Sequence, residues 1–409
     1  MASSGSYTEI KKHVDAIRLV DTHEHLPQEP ERIEQTVDPL ATFFPHYASS
    51  DLQSAGMGEE DLLRMWDTSI PLEERWTIIE PWWEKISNTG YARALDIAIR
   101  GLYGVDGLTA DTVKPLTQRM RERNKPGLYR WVLKERSGVD ISILDFAEYD
   151  VDTEFFAPVL RIDELVMARD RTEIEALESL FDVSIHDFRD YVALIRRRFD
   201  NLKGKVVGIK IALAYRRPIF FDKRAFSEAE EAFNEIYRVR KFKRVPMDPE
   251  GESQKLVPES PGVEELIPMQ DYLVHVAVQE AMRHGLPIQI HTGLHEGNEN
   301  MLPNSNPELL VNLFMEYRDA RFDVFHGSWP YCGELGALAK NFPNVYVDMC
   351  WMHIISPSRA RSALGDWLDE VPANKILGFG GDYLFVEGVY GHSVIARDNV
   401  ARVLAQKVD

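Results

Sequence analysis

An α/β barrel of eight parallel strands, a (β/α)8 or TIM barrel interrupted by a helical insertion after its first strand, is the fold this sequence predicts. Three observations lead to it. Short apolar runs separated by helical stretches fill residues 139–409, the texture of βαβ units around a parallel sheet. With the apolar pair Leu19-Val20 near the start, these runs number eight, the strand count of a closed parallel barrel. Residues able to do chemistry then fall at the ends of the runs, from His23 and His25 to Asp382, where such a barrel opens on one rim.

The elements follow in chain order. Helical spacing from Tyr7 to Ile17, with Ile10, Val14 and Ile17 on one face, leads into the first strand, Leu19-Val20-Asp21-Thr22-His23-Glu24-His25. A strand's period of two puts His23 and His25 on one face, where both imidazoles can reach one ion. Residues 27–138 carry no strong strand signal but have helix-like stretches at 59–69, 72–86, 91–102, 109–123 and 126–136. That is far more than an ordinary strand-to-helix connection, so the segment is expected to be a helical insertion able to act as a lid. Its tryptophans, Trp66, Trp76, Trp82, Trp83 and Trp131, are expected mainly to form its own small core.

Further strands are expected at 140–147, 157–162, 206–213, 287–292, 322–327, 345–349 and 376–381, and helices at 171–202, 267–284, 307–319, 331–341, 356–370 and 393–407. The gap between the second and third strands is too short for a full helix. Residues 241–262, charged and rich in Pro and Glu, read as an exposed loop. The chain therefore divides into residues 1–26 (first helix and strand), 27–138 (insertion) and 139–409 (the rest of the barrel).

Composition narrows the function. The chain has 409 residues, 44% hydrophobic and 28% charged, as expected of a soluble globular protein, and is long enough to bury a large core. A formal net charge of −19 argues against nucleic acid or an anionic membrane as partner, while an anionic small molecule can still be met by local charge in a pocket. Cys332 and Cys350 are the only cysteines, too few for a disulfide framework or a thiolate cluster. No basic-then-apolar leader and no membrane-length apolar run is visible, so a cytoplasmic enzyme with a small-molecule substrate is expected, with self-association into a homo-oligomer left open.

The residues at the strand ends point to a metal. His23 and His25 follow the first strand, Lys210 lies on the fourth, His291 ends the fifth, His326 ends the sixth and Asp382 follows the eighth. Four imidazoles and a carboxylate suit Zn2+ or a similar divalent ion with a position open for water. The motifs Leu19-Val-Asp-Thr-His-Glu-His, Gly208-Ile-Lys-Ile-Ala-Leu-Ala-Tyr-Arg, Ile290-His-Thr-Gly, Phe325-His-Gly-Ser-Trp-Pro and Gly380-Gly-Asp382-Tyr together resemble the amidohydrolase superfamily, and within it the amidohydrolase-2 branch. The run Lys210, Tyr215, Arg216, with Asn306-Pro307 and Asn344-Val-Tyr-Val-Asp348, is most similar to FluG-like and nodulin-like members; the insertion at 27–138 resembles that of uronate isomerases.

The resemblance implies that His23, His25, Asp382 and His291 are metal ligands and that His326 polarises a substrate carbonyl. It also implies that Lys210 is either a free amine or a carbamate bridging two ions, and the free amine beside a single ion is the reading adopted. One Zn2+ is then the expected cofactor, with Mn2+ as the alternative and a second ion only if Lys210 is carbamylated. Hydrolysis of an amide, ester or lactone follows, with Asp382 as proton acceptor, His326 steadying the oxyanion and Lys210 in the catalytic set. Tyr215, Arg216 and Arg217 are candidates for gripping a substrate carboxylate, because guanidinium makes paired bonds to that group. Trp329 is placed at the same opening as a substrate contact. Tyr331, Glu387 and His392 lie on loops expected to face that opening, with packing as their expected role. Aldose–ketose isomerisation of a uronic acid and non-oxidative decarboxylation of an aromatic acid are the rival reactions.

Overall fold

The computed structural model describes residues 4–146, 149–238, 242–246, 254–258 and 261–409. Eight strands form one parallel sheet in the order of the chain: β1 (Leu19–Glu24), β2 (Val139–Leu144), β3 (Phe156–Arg161), β4 (Gly208–Ile211), β5 (Ile288–Ile290), β6 (Phe322–Val324), β7 (Val345–Asp348) and β8 (Ile376–Leu377). The sheet curls until residues 379–383 lie against β1. Thr22 N donates to Phe379 O (3.1 Å), Asp382 N to His23 O (2.8 Å) and His25 N to Tyr383 O (3.1 Å). The expected barrel is therefore present, its seam stitched by the residues just past β8.

All eight expected strands are found, several shorter than their apolar runs. In β4, β5 and β6 every residue is buried, as expected of strands covered on both sides. Between β2 and β3 no helix occurs among the described residues, in keeping with the short gap. The helix expected over 171–202 is two, Arg171–Phe181 and Phe188–Asn201. The first ends on Asp182 in a left-handed conformation (φ 49°), and Asp187 caps the second by accepting from the amides of Arg189 and Asp190. A helix at Phe226–Glu235 adds to the expected elements. Within the stretch expected as a loop, Phe242–Pro246 pairs antiparallel with Gln254–Pro258. That is a correction: each of these two short runs keeps apolar residues among its charges and they pair as a ribbon, and the other residues of 241–260 lie outside those described.

The insertion leaves from the end of β1 and contains the five expected helices, at Glu59–Trp66, Leu72–Ile86, Gly90–Tyr103, Val113–Arg123 and Arg130–Arg136. Three short helices precede them, at Glu29–Glu34, Pro39–Phe43 and Tyr47–Ser54. Its apolar side chains make one continuous cluster with barrel residues Phe156, Phe325, Trp351, Phe379 and Val386. Trp76 is buried in that cluster, and Trp66, Trp82, Trp83 and Trp131 pack against it. Buried polar bonds bolt the insertion to the last helix, Val386–Val408: Arg32, also held within the insertion by Asn124 (2.6 Å), donates to Glu387 (2.9 Å), and Tyr103 Oη donates to Glu387 (2.7 Å). Among the described residues no helix is long and apolar enough to cross a membrane.

Candidate metal centre

β1 delivers His23 and His25 to the same rim at which the residues after β8 deliver Asp382. His23 Nε2 and His25 Nε2 lie 3.3 Å apart, and Asp382 Oδ1 is 3.3 Å from His25 Nε2 and 3.8 Å from His23 Nε2. A point equidistant from the corners of that triangle is about 2 Å from each, the Zn–N and Zn–O bond length. The His25 Nδ1 faces the Asp145 carbonyl (2.9 Å), an acceptor, so it carries a hydrogen there, and Nε2 is the nitrogen aimed at the triangle. Two nitrogens and a carboxylate oxygen at this spacing fit a divalent ion with open positions.

Electrostatics agree with that arrangement. Burial, then the charge of Lys210, pushes His23 well below the usual imidazole range, so it is neutral and able to ligate. Burial alone would raise Asp382, but the hydrogen bond from His25 and the nearby His326 and His23 outweigh it, and the carboxyl is held well below its usual value. Burial opposes the charge on His25 as well, yet Asp382 and Asp145 outweigh it and raise its pKa, so Nε2 shares a proton with Asp382 that a bound ion would displace. Burial lowers Lys210, whose Nζ sits 3.7 Å from the centre of the Phe325 ring.

The triangle opens on a cavity of about 520 Å³. Lys210, Tyr215, Arg216 and His291 line it, as expected, together with four groups that the sequence did not single out: His46, Tyr47, Arg161 and Asp163. Arg161, on β3, donates to Asp145 (2.9 Å), whose other neighbour is His23 Nε2 at 3.8 Å. Tyr47 enters from the insertion, donates its hydroxyl to the Asp382 carbonyl and stacks on both Tyr91 and Trp351, at 5.0 and 4.7 Å. Glu296 completes the mouth, its carboxyl raised by burial and by Asp382. A larger apolar groove of about 1040 Å³ lies between the first and last helices and contains none of these residues.

Several of the expected residues are placed elsewhere than at the triangle or the cavity wall, or are held by other partners. His291 does not join the triangle, because its Nε2 faces the Leu294 carbonyl and its Nδ1 faces His326 Nε2, both at 2.9 Å. His326 does not line the cavity; it is buried behind it, with Nδ1 3.1 Å from the Cys350 carbonyl and 3.8 Å from Asp382 Oδ2. Arg217 turns away from the opening and is consumed by Asp271 (2.6 Å), Gln270 (3.1 Å) and the Phe220 carbonyl (2.9 Å). Trp329 packs against the barrel core and does not line the cavity. Glu387 and His392 stand on the last helix, not on loops, and are buried. The Asp145 and Arg161 pair could have been found as charged residues ending the second and third apolar runs. His46 and Tyr47 follow no strand and gave no such signal.

The family of amidohydrolases has a sequence model that matches residues 190–405, more than half of the chain. The chain belongs to the amidohydrolase family. Protein fluG of Emericella nidulans is 25% identical over 336 residues, covering 75% of this chain and 36% of that protein, so this amidohydrolase spans about a third of its curated relative. Among solved structures, the uronate isomerase of Thermotoga maritima overlays the whole chain and 92% of its own with a TM-score of 0.77 at 13% identity. A candidate metal-dependent hydrolase of Lactobacillus casei overlays 97% of this chain and 89% of its own with a TM-score of 0.61 at 18% identity. These overlays are likenesses of fold, and they extend over the insertion as well as the barrel.

Proposed function

We propose that this amidohydrolase is a metal-dependent hydrolase acting on the carbonyl of a small, carboxylate-bearing amide, ester or lactone. The observation that carries the reading is the triangle of His23, His25 and Asp382 in a cavity that also holds Arg161 and Arg216. One divalent ion, Zn2+ or Mn2+, held by those three residues, would supply Lewis acidity and acidify water at the site. Asp382 is ionised at neutral pH and accepts the proton of the attacking water, then returns it to the leaving nitrogen or oxygen. Arg216, exposed at the mouth, and Arg161, braced by Asp145, offer guanidinium forks to the substrate carboxylate. Tyr215 is held ready for the same carboxylate, its ring stacked on His295 and its hydroxyl accepting from the Glu296 amide (3.0 Å). Lys210 serves as a free amine: the Phe325 ring beneath it favours a cation and would disfavour the anionic carbamate of a two-ion centre. His326 acts through Asp382 and His291, holding both in place.

Isomerisation of a uronic acid is the second reading, favoured by the insertion's loan of His46 and Tyr47 to the cavity and by the overlay on a uronate isomerase. The two are separated by one assay of protein loaded with one equivalent of Zn2+ or Mn2+. Release of amine or acid from N-acyl amino acids or lactones is the expected result. Conversion of glucuronate or galacturonate without any hydrolysis would replace the first reading by the second, and CO2 from an aromatic acid would replace both.

A further inference from the structure

Asp382 sits in a left-handed backbone conformation, φ 61°, which a residue with a side chain adopts at a cost. What holds it there is visible on both sides. The amide before it, Gly381 N, donates to Asp21 Oδ1 (2.9 Å), and the amide after it, Tyr383 N, donates to Glu24 Oε2 (2.7 Å). Asp21 is itself fixed by the His23 amide (3.3 Å) and the Ser142 hydroxyl (3.0 Å). Asp21 and Glu24 are fully buried, and neither lines the cavity. Glu24 reaches Tyr383 only because residue 381 is glycine: a Cβ there would lie 1.7 Å from Glu24 Oε1.

We infer that Asp21 and Glu24 are positioning residues that clamp the Gly381 and Tyr383 amides and so aim the Asp382 carboxylate at the imidazoles of His23 and His25. This rests on the metal reading of those three residues. The glutamate of His-Glu-His thereby carries the position of β1 across the seam to the third ligand. Without an acceptor for Tyr383 N, the turn relaxes and the oxygen leaves its place in the triangle.

Titration of metal-free protein with Zn2+ against a competing chelator, in wild type, Glu24→Gln and Glu24→Met, tests this. Glutamine keeps an oxygen for Tyr383 N, so its affinity should stay within about 3-fold of wild type. Methionine has the same length and no acceptor, and its Zn2+ affinity should fall about 10- to 100-fold, the usual cost of losing a group that orients a ligand. Circular dichroism and melting of the metal-free forms show that each is folded; Glu24→Asn, polar but one methylene too short, replaces Glu24→Met if the latter does not fold. A folded Met or Asn variant that binds Zn2+ like wild type overturns the clamp. So does a Gln variant that loses as much as Met, since that would make the carboxylate charge itself the essential feature. Wild-type protein that takes up no Zn2+ fails at the earlier step and removes the metal reading along with the clamp.

Discussion

At the scale of single residues, the side chains that matter most are those whose donor atoms have nowhere else to go. His23 Nδ1 is buried without a hydrogen-bond partner, and its Nε2 points into the triangle, whereas His291 spends both nitrogens on neighbours. Removing His23 by substitution with Ala should therefore lower bound metal well below one equivalent, measured by elemental analysis after dialysis; unchanged stoichiometry would exclude it as a ligand. Asp382→Asn keeps the shape but takes away the proton acceptor, so turnover should fall by about 10²-fold or more while the circular dichroism spectrum is preserved. The types and positions of His23, His25 and Asp382 were legible because strand periodicity and strand ends are written in the apolar pattern. The direction of a ring nitrogen is not written there: it depends on which carbonyl or imidazole a neighbouring strand brings up, as Leu294 and His326 do for His291.

At the scale of elements, β8 is the shortest strand of the barrel, and buried polar contacts pin the residue that follows it. His353 Nε2 donates to the Gly378 carbonyl (2.9 Å), while its Nδ1 accepts from the Asn399 amide (3.3 Å), whose oxygen is held by Arg361 (2.8 Å). This chain of bonds requires a neutral imidazole, and burial lowers the His353 pKa to about 4. Between that value and the ordinary 6.5 the unfolded chain binds a proton that the folded one refuses, so stability falls as the pH drops through the window. Its contribution is on the order of 3 kcal/mol, and comparing urea midpoints of wild type and His353→Gln from about pH 7 to about 4.5 should show the gap between them narrowing on acidification. The insertion is anchored just as specifically. Glu387→Ala strands the Arg32 guanidinium in the interior and should cost about 3–5 kcal/mol in denaturant unfolding, with Glu387→Gln less damaging. Five of the insertion's helices were legible from spacing, but the three short ones before them, and which of their residues enter the cavity, were not. That depends on a short turn, His46 into Tyr47–Ser54, whose placement comes from stacking on Tyr91 and Trp351, residues far away in sequence.

At the scale of the whole molecule, the barrel follows from eight apolar runs, and the count, order and direction of its strands were all visible in them. What escaped was the partition of the core. The insertion shares its apolar cluster with one side of the barrel, so it is expected to melt with that side in one transition, and a metal ion bound only by the folded state should raise that transition as its free concentration exceeds Kd. Scanning calorimetry of metal-free and Zn2+-loaded protein checks both expectations.

The seam between β1 and residues 379–383 also sets a schedule for biosynthesis. His23 and His25 leave the ribosome first, yet their third companion is made about 360 positions later, an interval on the order of 20–70 s at ordinary elongation rates. Until then the nascent chain offers two imidazoles to any passing cation without the oxygen that completes the trio. Loading is thus deferred until Asp382 has been made, and ribosome-bound chains stalled ahead of residue 376 should retain no ion.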